Sequence, residues 1–244
     1  MTKDPLFVSV VIPCYNEEAY IADLLEGLAK QSYSNFEIVI SDARSTDRTL
    51  EVIKQFKFSD IKVVSSPPRG PAAQRNFGAK HALGELLLFL DADVSLKDKD
   101  FIKKLVETST RNGWATASTK IKAKDASIIE RLGTALDYRY LSLLSHTKHP
   151  VAPGWCIFTR KDVFNTNKGF NEKIFFGEDY DYVSRVGGVG FGFVKNTCYF
   201  INLRWVHEDG LKFLYKCVAN EVYRHTHGYN LENSPYSYNY GGHK

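Results

Sequence analysis

Two carboxylates one residue apart, Asp91 and Asp93, directly follow the apolar run Glu85–Leu90 (ELLLFL). At a strand end such a pair can share a hard cation, directly or through water. Mg2+ or Mn2+ prefers oxygen ligands of this kind and bridges readily to substrate phosphates. A solvated turn would accommodate an isolated Asp-x-Asp equally well, so the pair takes its meaning from its surroundings. His207, in Trp205-Val206-His207-Glu208-Asp209, can complete a metal shell as a neutral imidazole or serve structure alone. Glu178 and Asp179 stand in Gly177-Glu178-Asp179-Tyr180-Asp181. Acids there suit the start of a helix, and one of them facing an acceptor hydroxyl would be a general base. Asp42, at the end of FEIVIS, offers a carboxylate to a base N–H or a ribose hydroxyl, while Ser45, Thr46 and Asp47 suit the cap of the next helix. Arg69-Gly70-Pro71 feeds another helix start, a natural anion site in which Arg69 or Arg75 can meet a phosphate or carboxylate. Trp155, in Pro153-Gly154-Trp155-Cys156, can stack on a sugar face.

The hydropathy pattern supplies the elements that must bring these residues together. Phe7–Pro13, Phe36–Ser41, Ile61–Ser65 and Glu85–Leu90 read as strands. They alternate with helical patterns: one starting near Asn16 and carrying Tyr20 to Leu28, one carrying Leu50, Ile53 and Phe56, and one over Ala72–Leu83. The alternation predicts an α/β fold with a doubly wound, mostly parallel sheet covered on both faces. Ligands of such sheets sit at the carboxyl ends of strands, near the switch in strand order, and Asn16, Asp42, Arg69 and Asp91 each follow a strand. The second half is less regular. Trp114–Ile121 reads as a strand, Ile128 to Leu144 as a long amphipathic helix whose apolar face packs in the core or lies on a membrane, and 149–176 as loop. A helix follows Glu178, a strand ends near Cys198, and Gly210–Tyr223 is a last helix. Residues 1–228 read as one domain, with a nucleotide-binding half (1–97), an acceptor-side half (98–228) and a mobile tail (229–244).

The 244 residues, 43% hydrophobic and 25% charged, suffice for a buried core. The net charge of +4 favours anionic partners such as nucleotides, lipid headgroups or phosphorylated substrates, but it is spread out, which argues against nucleic acid. The four cysteines, Cys14, Cys156, Cys198 and Cys217, show no metal-binding spacing and suit a reducing compartment. No apolar run is long enough to span a bilayer and no signal peptide opens the chain, so a cytoplasmic protein is expected, with contact at a membrane's inner face left open.

Taken in order, VSVVIPCYNEE (8–18), DARSTDRT (42–49), RGPAAQRNFGA (69–79), LLLFLDADV (86–94) and GFNEKIFFGEDYDY (169–182) resemble family 2 glycosyltransferases of the GT-A fold, over roughly residues 7–210. The resemblance implies a nucleotide-sugar donor, a UDP- or GDP-sugar, and Mn2+ or Mg2+. By the same resemblance, Pro13, Tyr15, Glu17 and Asp42 hold the nucleoside, and Arg69 and Gly70 lie beside base and ribose. Asp91 and Asp93 form the metal and sugar-phosphate site, Asp179 is the base of an inverting displacement, and His207 falls where some members add a metal ligand. Two departures stand out. The common DDGSTD is SDARSTD here, and of the QxxRW signature of processive synthases only Arg204-Trp205 remains, which favours single-sugar transfer. The acceptor stays open between lipid phosphate, saccharide, small molecule and protein. The alternatives are a haloacid-dehalogenase-type phosphatase, whose DxD would lie on the first strand, and a non-catalytic nucleotide- or glycan-binding relative.

Overall fold

The computed structural model describes residues 5–203 and 211–228, together with 231, 232, 234 and 235. Four apolar segments form parallel strands: β1 (Val8–Cys14), β2 (Phe36–Asp42), β3 (Ile61–Ser65) and β4 (Leu86–Leu90). β1 and β4 are buried at every position, as Val-, Ile- and Leu-rich strands covered on both faces must be. β3, at the sheet edge, has no fully buried residue: Lys62, Val63 and Ser65 are exposed. With β5 (Thr116–Ala123), β6 (Cys156–Arg160) and β7 (Phe191–Ile201) they make one seven-stranded sheet of order β3-β2-β1-β4-β6-β5-β7. Only β6 runs against its neighbours, pairing antiparallel with β4 and β5. The strand order reverses direction between β1 and β4, so the carboxyl ends of these two strands flank the crevice.

The helices are α1 (Ile21–Ala29), α2 (Thr49–Lys54), α3 (Pro71–His81), α4 (Phe101–Asn112), α5 (Ile128–Leu144), α6 (Lys161–Thr166), α7 (Glu178–Val186) and α8 (Leu211–His227). α3 can press close to the sheet because its inner face is small: Ala72, Ala73 and Ala79 are buried, and a Cβ on Gly78 would lie 2.5 Å from Val11 Cγ1. α4 buries Phe101, Ile102, Leu105 and Val106 and stops at Gly113, whose φ of 65° is the left-handed conformation of a helix C-cap.

Three expectations change. The first helix begins at Ile21 and not near Asn16, because residues 15–20 belong to a loop with its own bonding; Asn16 has φ 55°. The loop-rich stretch 149–176 contains β6 and α6. The apolar face of α5 is not in the core: Ile128, Ile129, Leu132, Leu136 and Leu143 are 77, 81, 60, 64 and 71% exposed, and among its residues only Leu141 is fully buried. The helix is held by a capping box between Ser127 and Glu130 and by Tyr138, which meets Phe193 edge-on at 5.5 Å. No helix among the described residues is long and apolar enough to cross a membrane.

Candidate active site

The loops after β1 and β2 are bonded to each other side chain to backbone. Asp42, buried at the end of β2, accepts from Ser45 N (3.1 Å) and Ser45 Oγ (2.5 Å). Ser45 Oγ accepts in turn from Asn16 N (2.9 Å), and Asn16 Oδ1 accepts from Thr46 N (2.8 Å). Glu17 N donates to Thr49 Oγ1 (2.8 Å), and Glu18 N donates to Asp47 Oδ2 (3.1 Å). The N-cap of α2 is Arg48, with no side-chain cap, and none of the three expected residues takes that place: Asp47, one residue earlier, accepts from Thr49 N (3.0 Å), while Ser45 and Thr46 serve the neighbouring loop. The Asp42 carboxylate thus anchors this loop. Pro13 is buried at the end of β1, and Tyr15 and Glu17 line the same loop half-buried. Burial raises the Cys14 thiol well above its ordinary range, helped by the Glu17, Asp42 and Asp47 carboxylates that gather around it. Arg69 is exposed, and Gly70 takes φ 96° at the cap of α3, a conformation that L side chains avoid.

Arg75 is the centre of the second group. Of the phosphate or carboxylate that the sequence offers it, the carboxylates are within the chain: Arg75 is 2% exposed and spans two acids, with Nη2 2.7 Å from Asp91 Oδ1 and Nη1 2.8 Å from Glu178 Oε1. The guanidinium lies over the Phe170 ring, 5.3 Å from its centroid. Gly154 covers its other side, where a Cβ would come within 2.3 Å of Nη2. The flanking residues of α3 continue the fastening. Gln74 Nε2 donates to Cys14 O (3.1 Å), while Asn76 donates to Phe170 O (2.8 Å) and accepts from Phe170 N (2.9 Å). Three consecutive side chains thus tie the β1 end, the acids and the loop before α7 to one helix.

The antiparallel direction of β6 explains how Asp179 arrives. Leu90 pairs with Cys156, which brings the residues before β6 to the end of β4, where Asp91 N donates to Trp155 O (3.4 Å). One residue earlier, Gly154 N donates to Asp179 Oδ2 (2.5 Å), and Tyr180 N donates to Oδ1 (2.8 Å). The Asp179 carboxyl is pushed up to about 7. Burial dominates, the Glu178 carboxylate adds to it, and Arg75 and the two N–H groups pull it back in part. Asp179 keeps some surface open to the cleft although protein surrounds it on most sides. The neutral-pH ionisation expected of an ordinary aspartate is therefore replaced by one poised near neutrality.

The structure brings Arg75, Asp91, Glu178, Asp179 and the Gly154-Trp155 turn together, with Trp155 half-buried beside Asp91. Asp93 is nine-tenths buried, and Asp91 keeps about a quarter of its side chain exposed. Among the described residues no cluster of three His, Cys, Asp or Glu side chains is arranged to hold a metal by itself. Two carboxylates that need substrate oxygens to complete the shell suit Mg2+ or Mn2+, which often keep open positions of this kind. His207 lies outside the described residues. Sequence reasoning missed Gly154 as a backbone donor and Asn76 as a clasp. Only the glycine between Pro153 and Trp155 hinted at the first.

An α/β sheet with a reversed strand order and acids gathered at the β4 end is the architecture of a ligand-binding doubly wound fold. The sequence model described as "Glycosyl transferase family 2" matches residues 9–167, well over half of the chain, and the chain belongs to that family. A dolichyl N-acetyl-alpha-D-glucosaminyl phosphate 3-beta-D-2,3-diacetamido-2,3-dideoxy-beta-D-glucuronosyltransferase of Methanococcus voltae is 38% identical over 111 residues, 43% of this chain and 34% of that protein. The poly(ribitol-phosphate) beta-N-acetylglucosaminyltransferase TarS of Staphylococcus aureus is 40% identical over 101 residues, 39% of this chain and 17% of TarS. The chain thus spans well under half the length of these relatives. In structure, the mannosyltransferase PcManGT of Pyrobaculum calidifontis, in complex with GDP-Man and Mn2+, superposes with TM-score 0.67 at 20% identity, over 80% of this chain and 56% of that one. TarS 1-349 in complex with UDP-GlcNAc gives TM-score 0.63 at 24% identity, over 81% and 58%. Both show that the fold is shared.

Proposed function

We propose that the chain transfers a single sugar from a UDP- or GDP-sugar to an acceptor hydroxyl or phosphate, with inversion at the anomeric carbon and with Mn2+ or Mg2+. The observation that carries this reading is the partly open Asp179, poised near neutrality and held by Gly154 N beside the Arg75-bound pair Asp91 and Glu178. Residues 1–97 serve as the nucleotide-binding half, where Pro13, Tyr15, Glu17, Arg69 and Gly70 line the place of the nucleoside. Asp42 acts there through the loop it anchors. Residues 98–228 serve as the acceptor-side half, with Trp155 against the sugar.

Asp179 takes the proton of the acceptor O–H as that oxygen attacks C1 of the donor sugar. The C1–O bond to the diphosphate breaks, and its electron pair leaves with the nucleoside diphosphate. Asp93, with the unpaired oxygen of Asp91, would hold the cation, which when bound offsets the charge growing on the leaving phosphate. Arg75 keeps Asp91 and Glu178 in place and lowers the cost of ionising Asp179. PcManGT with GDP-Man and Mn2+ and TarS with UDP-GlcNAc support the donor class and the metal. The names of the M. voltae and S. aureus relatives both contain a phosphate-bearing acceptor, which suits a mildly basic chain. The phosphatase alternative is not favoured, because Asp91 follows the fourth strand and not the first.

A thermal-shift panel of UDP- and GDP-sugars with and without Mn2+ or Mg2+ tests this. A ligand that binds only the native state raises the melting temperature. A metal-dependent rise with one donor class is expected, followed by release of nucleoside diphosphate on adding acceptor. No rise with any nucleotide-sugar, or release of inorganic phosphate instead, overturns the reading.

A further inference from the structure

We propose that the outward faces of α5 and α8 form a docking surface for an anionic lipid bilayer, holding the acceptor side of the cleft against the membrane. The transferase reading supplies the purpose of the docking; the surface stands on its own residues.

At 100° per residue, Ile128, Ile129, Leu132, Leu136, Tyr140 and Leu143 fall within about a third of the α5 circumference. All six are exposed. Within that arc the one charged residue is Arg139, whose long stem can lie along apolar surface with its head in water. Soluble surfaces scatter single apolar side chains but rarely gather five aliphatic ones on one helix. α8 adds Tyr215, Val218 and Val222, each more than half exposed and spaced i, i+3, i+7. Tyr140 Oη donates to Glu221 Oε1 (2.5 Å), so the two helices adjoin.

Charge selects the occupant. Residues 127–149 and 211–228 hold six Lys or Arg against three Asp or Glu, which accounts for +3 of the chain's net +4. Arg131, Arg139, Lys148 and Lys212 are exposed. A second copy docking through this face by a two-fold axis would set like-charged rims against each other. Anionic headgroups complement the rim while the acyl boundary takes the aliphatic arc.

Position links the surface to the chemistry. A Cβ on Gly177 would lie 2.9 Å from Asn220 Nδ2 of α8, so α8 stands beside the start of α7 that carries Asp179, and α5 adjoins α8 through Tyr140. Phe175, exposed in the loop before α7, extends the apolar rim there, next to Phe176 whose carbonyl faces Asn220 of α8 (3.5 Å). An acceptor carried in the headgroup layer would be delivered to Asp179 along this edge.

Vesicle flotation of the chain tests the proposal, using equimolar phosphatidylcholine and phosphatidylglycerol against phosphatidylcholine alone. The chain is expected to float with the anionic vesicles and to release them as salt rises. Ile129→Gln/Leu132→Gln/Leu136→Gln should weaken that binding by about ten-fold or more, with melting temperature and donor-induced thermal shift unchanged. Arg131→Gln/Arg139→Gln, which leaves the apolar arc intact, should weaken binding to anionic vesicles only, and decides the matter if the triple variant does not fold. A chain that stays unbound with both vesicles, or variants that float as well as the wild type, overturn the proposal. So does a concentration-dependent dimer that the triple variant abolishes without any vesicle binding. Vesicle binding without a donor-induced shift would instead remove the transferase reading and leave the docking surface.

Discussion

The two halves of the sheet spend their polar residues differently. On the β1–β2 side, Asn16, Ser45, Asp47 and Thr49 bind the backbone of the neighbouring loop and Asp42 binds Ser45 of its own, so the ends of β1 and β2 are tied to each other. On the β4–β6 side the charges are packed against one another around Arg75, Asp179 is left costly to ionise, and α5 shows an apolar face to the outside. One side is knit together by side-chain-to-backbone bonds, and the other is held in a state that partners would relieve. Unspent apolar surface of this kind belongs to the part of a protein that meets a partner.

The comparison breaks most sharply at Asp179. Asp179→Asn should cut turnover by about 10²–10⁴-fold, the usual scale for a general base, while donor binding is kept. In the wild type kcat/KM should rise with pH and level off above about 7, because the free enzyme must lose the Asp179 proton first. Stability carries the opposite sign. The folded-state value lies above the unfolded one, so the favourable contribution of this carboxyl is complete below about pH 4 and is lost as pH rises through about 7. The asparagine variant lacks that loss, so its melting temperature relative to wild type should climb between those limits and then stay flat. A variant with normal turnover, or a stability difference independent of pH, would show that Asp179 is ordinary.

Arg75 is the next place to press. Removing one partner from a buried ion pair costs about 3–5 kcal/mol, and Arg75→Gln strands two acids at once. Denaturant melts should show a loss of that order. If Arg75 also positions the base, the ascending limb of the pH profile should move to higher pH, because the cation that lowers the Asp179 value is gone. A destabilised variant whose pH profile is unmoved would leave Arg75 with a structural role alone.

Legibility follows the same division. The first-half strands were readable because β1, β2 and β4 are β-branched or Leu-rich runs buried on both faces and β3 is a short β-branched run at the edge, and their order fixes which loops meet. The DxD pair and the Glu178-Asp179 pair were readable as acids after a strand and before a helix. Which carboxylates Arg75 meets was not legible, because nothing local shows that Glu178, 103 residues away, will claim it. β6 was hidden in five residues behind Pro153 and Gly154, and its antiparallel course, which delivers Gly154 to Asp179, is a tertiary fact. The α5 periodicity gave a helix correctly. A hydrophobic stripe states only that one face is apolar, and whether protein or something else covers it depends on where the helix lands.

The smallest effect concerns the loop clasp and separates a support role from a binding one. Ser45→Ala removes the hydroxyl that accepts from Asn16 N and donates to Asp42. Asp42 would keep only the Ser45 amide among these partners, and the loss should be about 1–2 kcal/mol, or a melting point lower by roughly 2–8 °C. Arg44 makes the site sensitive: it holds φ 64°, a conformation that glycine adopts freely and a β-carbon resists, so the clasp works against local backbone preference. If the loop shapes the nucleoside site, KM for the donor should rise several-fold with kcat retained, the reverse of the Asp179 variant. A lower melting point with unchanged KM would mean that the clasp serves folding alone and that Tyr15 and Glu17 reach the nucleoside without its help.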